Sequence, residues 1–234
     1  MTTFAAIVRG VGVMLLLSGL VLAEDGMAIL KTVGETYSAL KSYEFQGSNT
    51  ASMQTGKTTS NVDETFTVVF TAPDHFFVDI RYPGQGNWTR ASNGTTMTEI
   101  RTVNKEFVQR PTTQYDIRAL DNSPIGPFYE MEAGVKSATV EGSEKLTLEG
   151  KEVDCWVIQA DREVGMVQEG VKRLPTKLWI DKARNLVLKH VSGTESVMTG
   201  NKATKNVRTM TITLARLGHD VPTDVFEPRG SKKK

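Results

Sequence analysis

The pattern of apolar and polar positions along the chain changes once, near residue 42. Before that point apolar residues recur at steps of three and four, at Met27, Leu30, Val33, Tyr37 and Leu40. This spacing predicts one amphipathic helix over about residues 25–41. After Ser42 apolar and polar residues alternate, a period that is typical of β-strands.

The strands fall into two groups around a central segment. About five strands precede residues 112–134, where prolines and apolar spacing favour one or two short helices, and about five follow. Turn signals separate neighbouring strands, among them Pro73-Asp74 and Asn93-Gly94, and the second predicts a two-residue type I′ hairpin turn. Strands joined by such short turns favour a large, curved antiparallel sheet or an open barrel.

Several of the later strands are apolar on both faces. One face of the segment after residue 152 carries Val153, Cys155 and Val157, and the other carries Trp156 and Ile158. A sheet with one wet face would alternate cleanly, so another element covers the second face. The helix and the central segment are the apolar elements available for this. The sequence therefore predicts an α+β fold, a curved, half-open antiparallel β-barrel with helices covering its concave side.

The first 23 residues have the features of a secretion signal. A short leader with the cation Arg9 precedes an apolar run over residues 11–22, and Val21 and Ala23 supply the small residues at positions −3 and −1. The run is shorter than the ~20 apolar residues that span a bilayer, although a retained membrane anchor is the alternative. We expect an exported protein, periplasmic or else secreted, with a signal peptide at residues 1–23.

The rest of the chain suits one domain, residues 24–228, followed by a basic tail, residues 229–234. The formal net charge is +1 and both signs are mixed along the chain, so no nucleic-acid partner is expected. The tail is expected to be solvated, with a weak hold on acidic lipid headgroups at a membrane surface as the alternative. The single cysteine, Cys155, excludes an intramolecular disulfide.

Residue patterns that carry catalysis are missing from the sequence. It holds neither a Gly-x-Ser-x-Gly elbow nor a His-Glu-x-x-His motif. The histidines, His75, His190 and His219, lie far apart and are interpreted as surface or capping residues. Cys155 lies inside a strand pattern and is interpreted as a buried packing thiol. The sequence therefore indicates a protein that is not an enzyme and that has no metal site and no cofactor.

Short motifs occur in a characteristic order along the chain. They are APDHFFVD at 72–79, SNGTTM at 92–97, KEFVQ at 105–109, LWID at 178–181, NLVL at 185–188 and VPTDVFEP at 221–228. Together with a signal and one helix ahead of the strands, this order resembles the LolA-like superfamily of periplasmic proteins. That superfamily includes the LolA and LolB lipoprotein carriers, RseB-like sensors and uncharacterised exported branches.

The resemblance implies an incomplete antiparallel barrel that is closed by helices and, in the lipoprotein carriers, holds acyl chains. Carriers similar to this chain have an arginine before the proline that matches Pro73, where it helps to latch a lid. This chain has Ala72 there. The resemblance therefore points to the superfamily rather than to the carrier itself.

An apolar wall is predicted as the ligand site. Apolar residues share a face on two strands that the Pro73-Asp74 turn joins, so their rows are expected side by side, opposite the helix stripe. We call these residues the apolar wall: Phe66, Val68 and Phe70; Phe76, Val78 and Ile80; and Leu30, Val33 and Tyr37.

Two functions remain open on this basis. In the first, an exported cell-envelope protein binds a lipid, an acyl chain or a lipoprotein in an apolar cavity. In the second, the interior is packed, and the protein is a protein-interaction or sensor module, RseB-like, that contacts another envelope protein. The sequence leaves the oligomeric state open.

Processing of the signal gives the first testable prediction. Because Val21 and Ala23 place the cleavage site after residue 23, the mature exported chain should begin at Glu24. N-terminal sequencing of protein recovered from the exported fraction checks this. Recovery of a chain that still begins at Met1 would contradict it.

Overall fold

The computed structural model describes residues 25–118, 120, 123–162, 170–198 and 202–227. The predicted signal peptide and basic tail lie outside this part of the chain. The predicted N-terminal helix is confirmed as α1, Gly26–Ala39. Its N-cap is Asp25, whose carboxylate accepts a hydrogen bond from the Met27 backbone N–H at 2.9 Å. Within the described ranges, no helix is long and apolar enough to cross a membrane.

The described residues contain eleven strands, which form one antiparallel sheet in the order β6-β5-β4-β3-β2-β1-β11-β10-β9-β8-β7. The strands are β1 Ser42–Thr55, β2 Thr58–Thr71, β3 His75–Tyr82, β4 Gly86–Asn93, β5 Thr96–Arg101, β6 Glu106–Pro111, β7 Val135–Leu148, β8 Lys151–Arg162, β9 Val171–Asp181, β10 Val187–Met198 and β11 Lys202–Leu217. The edge strands β6 and β7 do not pair with each other, so the sheet is not closed. The predicted unclosed antiparallel sheet is confirmed, and the position of the helices on a concave side stays a prediction.

Short helices interrupt the strands where the sequence predicts them. The central segment contains α2, Gln114–Arg118, and a 3-10 helix, Gly126–Phe128, with a proline in its first turn. A second 3-10 helix, Thr223–Phe226, follows the last strand and contacts β3 and β4.

One face of the sheet packs against α1 and the central segment, and we call it the inner face. The Tyr37 ring of α1 stacks on Phe45 of β1, with centroids 5.8 Å apart. Phe128 of the central segment meets the same tyrosine edge-on at 5.4 Å. Tyr37, Phe45 and Phe128 are fully buried, so helix, insert and sheet share one core.

The opposite face is covered in part by polar side chains of the sheet itself. Trp179 follows the inner-face residue Leu178 in β9, so its side chain lies on the opposite face of the sheet. It is nevertheless only 6% exposed. The Lys189 ammonium lies 4.3 Å from its ring centroid, and its indole N–H donates to Glu144 at 2.7 Å. Long lysine side chains can cover apolar surface while the charge stays in water. Burial of this face therefore needs no second layer of helices at Trp179, contrary to the sequence interpretation.

The β4–β5 hairpin forms where predicted, but the predicted type I′ turn is wrong. Ser92 pairs with Met97, so the connection is longer than two residues. The Asn93 side-chain oxygen accepts hydrogen bonds from the backbone N–H groups of Thr95, at 3.1 Å, and Thr96, at 2.8 Å. Because this side chain satisfies two loop donors, the longer loop is favoured.

A glycine in β1 gives a prediction about packing. A Cβ on Gly47 would lie 2.7 Å from the Phe66 ring and would overlap the Thr211 carbonyl oxygen. Gly47→Ala should therefore lower the free energy of unfolding by about 2–3 kcal/mol, as overpacking does. Gly56→Ala is the control, because a Cβ there meets no atom within 4 Å and only its φ of 59° opposes the change. That control should cost about 1 kcal/mol. Urea denaturation measures both, and equal losses would contradict the packing.

Candidate functional site

The strand register confirms that the two rows of the apolar wall lie side by side. Phe66 pairs with Ile80, Val68 with Val78, and Phe70 with Phe76. Partners directly opposite in an antiparallel pair place their side chains on the same face. The helix stripe of Leu30, Val33 and Tyr37 joins these rows in one apolar cluster.

The apolar wall is tightly packed where these residues meet. Val68, Leu30, Val33 and Tyr37 are fully buried, and Ile80, at 8% exposure, is the most accessible buried member. Phe70 is partly buried and stacks against the Tyr43 ring at 5.3 Å. The wall side chains therefore fill one another's space, and their contact with a ligand stays a prediction.

A cavity of about 720 Å³ lies farther along the same strands. Strands β1, β2, β8, β9, β10 and β11 contribute to it, together with the central segment. Its apolar lining on the inner face is formed by Met53, Val62, Pro127 and Met131. Met53 and Val62 are 50% and 46% exposed, so the cavity is open to solvent on their side.

The cavity forms because inner-face side chains become smaller along β1. The inner-face residues are first aromatic, Tyr43 and Phe45, and then small or polar, Gly47, Asn49 and Ala51. The small side chains cannot fill the space above the sheet, so the packed region gives way to an open one. Sequence reasoning missed this region, although the alternation through Ala51 and Met53 was a signal for it.

A polar pair separates the packed wall from the cavity. Asn49 and Glu64 are register partners on β1 and β2, and the asparagine amide donates to the glutamate at 2.7 Å. Burial raises the pKa of Tyr82 above its usual value, and so does Glu64, to which its hydroxyl is hydrogen bonded. The Asn49 side-chain oxygen is buried and has no hydrogen-bond partner among the described residues.

His190 lines the cavity, and its interpretation as a surface or capping residue is wrong. It lies on the inner face between Leu178 and Met210, and the Phe128 ring meets it edge-on at 6.0 Å. Burial, together with the nearby Arg162 guanidinium, lowers the pKa of His190 to about 4. The imidazole is therefore neutral at pH 7 and adds no charge to the cavity.

Arginines supply the positive charge of the cavity. Arg162, Arg173 and Arg208 all line it. Arg162 donates hydrogen bonds to the backbone oxygens of Met131, at 2.9 Å, and Ala133, at 3.0 Å, which ties the central segment to β8. The lining therefore combines apolar side chains with cationic groups.

The buried thiol and a buried carboxylate both have structural explanations. Cys155 is fully buried, and burial raises the pKa of its thiol to about 11, which keeps it protonated at neutral pH. Burial alone would raise the pKa of Asp116, but hydrogen bonds from Arg110 and Thr113 hold it well below its usual range. This carboxylate also accepts from Arg90, so it fastens α2 to β4 and β6. No described group of His, Cys, Asp or Glu residues could hold a metal ion.

Comparison with known proteins gives matches among solved structures alone. No protein-family profile matches the chain, and no curated protein matches it. The chain is similar to a DUF1329 family protein from Desulfovibrio piger ATCC 29098 at 9% identity, with 86% of this chain and 95% of that chain covered and a TM-score of 0.36. It is similar to a LolA superfamily protein from Nitrosomonas europaea at 12% identity, with 87% and 98% covered and a TM-score of 0.33.

A third similar structure is the Pseudomonas aeruginosa MucA/MucB complex, at 10% identity with a TM-score of 0.45. There 87% of this chain matches 61% of the other, so this chain spans part of that protein's length. The Nitrosomonas protein carries the superfamily name that the sequence motifs indicated.

A pair of matched substitutions tests the division between packed wall and cavity. Val78→Phe should lower the free energy of unfolding by about 1–3 kcal/mol, because Val78 is 4% exposed and opposes Val68 in the core. Val62→Phe should change it by less than about 0.5 kcal/mol, because Val62 borders open space. Chemical denaturation measures both. A harmless Val78→Phe would show that the wall itself encloses space.

Proposed function

We propose that the protein is an exported, non-enzymatic binding protein that holds the acyl chain of a lipid or lipidated partner in the cavity. The observation that carries the proposal is the cavity lining, where half-exposed Met53 and Val62 lie with Pro127 and Met131 beside open space on a face that is otherwise packed. Half-exposed apolar side chains beside a cavity favour an apolar ligand. The packed apolar wall forms a rigid end to this site.

The size of the cavity is compatible with such a ligand. Its volume of about 720 Å³ lies within the ~300–1,000 Å³ of small-molecule pockets. An acyl chain gains about 0.8 kcal/mol for each methylene that it buries. A handful of buried methylenes would offset association costs of several kcal/mol and give micromolar affinity.

Localisation in the periplasm is part of the proposal. It depends on the signal features of residues 1–23 and on the motif order that resembles the LolA-like superfamily. A carrier of acyl chains between envelope membranes would need to be an exported protein without a retained anchor.

Strand β6 favours a second function, that of a protein-interaction module. It is an edge strand, and it exposes Phe107 and Val108 at 48% and 39%. Val103 and Tyr115 nearby are 70% and 71% exposed. An edge strand with apolar side chains can accept a strand from a partner protein. This function does not require a ligand in the cavity.

Filling the cavity tests the leading function. The mature protein is titrated with the neutral fluorescent probe N-phenyl-1-naphthylamine, and wild type should show saturable enhancement. Ala51→Phe places a ring in the cavity and should reduce probe affinity about tenfold or abolish binding, since it removes the space for the ligand. Gln54→Phe, at an exposed position of β1 outside the cavity, is the matched control and should bind as wild type does. Wild type that takes up no probe would leave the β6 surface as the surviving candidate.

A further inference from the structure

We infer that the cavity selects amphiphiles whose headgroup is anionic, a phosphate or a carboxylate, and that Arg162, Arg173 and Arg208 bind that headgroup. The inference rests on the proposed function and names its ligand class.

Ion pairing separates the arginines of the cavity from the others. Outside it, the described arginine side chains each lie within 4.0 Å of a carboxylate oxygen; these are Arg81, Arg90, Arg101, Arg110, Arg184 and Arg216. Arg162, Arg173 and Arg208 form no such pair within the described ranges. Among the described arginine side chains, those without a carboxylate partner therefore all line one cavity.

The three arginines belong to different strands that border the same space. Arg208 of β11 lies opposite Ala51 on one side and Ser192 on the other. Arg173 of β9 lies opposite Thr194 of β10, and Arg162 ends β8. Guanidinium groups on separate strands can contact different oxygens of one headgroup, which is an arrangement suited to phosphate or carboxylate.

Partial burial of the Arg162 guanidinium favours the binding of an anion beside it. Its pKa is lowered by burial and by the charge of Arg173, so two cations repel each other in a partly desolvated place. Its two backbone hydrogen bonds leave further N–H donors, because a guanidinium has five. Asp161 also lines the cavity, but it forms no ion pair with these arginines. A bound anion would supply the missing negative charge.

The apolar lining decides between a lipid and a free phosphate. Ala51 pairs with both Arg208 and Val62, and Met53 lies two residues beyond Ala51, so Met53 and Val62 share the sheet face of Arg208. A free anion would leave the half-exposed side chains of Met53 and Val62 in contact with water. An amphiphile covers both parts of the lining, which is why we assign the site to a lipid.

Competition between lipids with the same acyl chain tests the inference. Lysophosphatidylglycerol and lysophosphatidylcholine, below their micellar concentrations, displace the bound naphthylamine probe at 0.15 M salt. The anionic lipid should bind roughly tenfold more tightly, as one or two charge-assisted hydrogen bonds provide. The preference should shrink in high salt, since the arginines are partly exposed. Equal affinities in wild type would overturn the inference.

Arginine-to-glutamine variants identify the residues that produce the preference for the anionic lipid. Arg173→Gln with Arg208→Gln should lose most of the preference and keep the affinity for lysophosphatidylcholine, which also shows that the variant is folded. Arg216→Gln is the control, because it lies on the same strand as Arg208 and pairs with Glu44 outside the cavity. It should keep the wild-type preference. Should the double variant unfold, the single Arg173→Gln, at an exposed residue, takes its place. An unchanged preference in either variant would overturn the assignment.

Further outcomes of the displacement experiment distinguish a failure of the headgroup assignment from a failure of the proposed function. Glycerol phosphate, which lacks an acyl chain, should not displace the probe, and displacement at the lipid's concentration would show a site for free anions instead. Displacement by both lipids with equal affinity would contradict the headgroup assignment and leave the acyl-chain site standing. Failure of every lipid to displace the probe would contradict the proposed function itself.

Discussion

Pairing of β1 with β11 is the interaction on which the rest of the structure depends. Strands β1 to β6 and strands β7 to β11 are each built from neighbours in sequence, and this one ladder joins the two groups. It runs from the Tyr43–Leu217 pair to the Thr55–Thr204 pair and is interrupted by one irregularity at Gln46 and Gly47. A bulge shifts the alternation of one strand relative to its partner. Buried residues of β11 on both sides of the irregularity, Ala215 and Ile212, therefore belong to the same core.

The difference in length between helix and strands explains why this face has both a core and a cavity. Helix α1 and strands β1 and β2 each contain 14 residues. At ~1.5 Å per residue the helix is about 21 Å long, whereas a strand at ~3.3 Å per residue reaches about 46 Å. The helix can cover only about half of these strands. Beyond it, cover has to come from the central segment, and small side chains such as Ala51 leave the remaining space open.

Sequence patterns could predict the features that depend on neighbouring residues. The helix, the strand alternation and the register of Phe66 with Ile80 follow from local periodicity and from the turn at Pro73-Asp74. The alternation through Ala51 and Met53 indicates small side chains on the inner face, but the enclosure of the cavity depends on β1–β11 pairing, which joins residues distant in sequence. Met53 and Val62 lie in a polar stretch and have the pattern of surface residues. The partial burial of His190 likewise follows from its position between Leu178 and Met210.

Arginines that have no carboxylate partner among the described residues, all in one cavity, are difficult to explain as a contribution to stability. Like charges at close range destabilise a fold, and each arginine side chain that the structure describes elsewhere has a carboxylate near it. The packed wall, where Val68 and Leu30 are fully buried, provides stability that tolerates this cost at the other end of the same face. A ligand that binds only the folded chain would return part of the lost stability. The separation of a packed end from a cationic, apolar end is therefore better explained by binding than by folding alone.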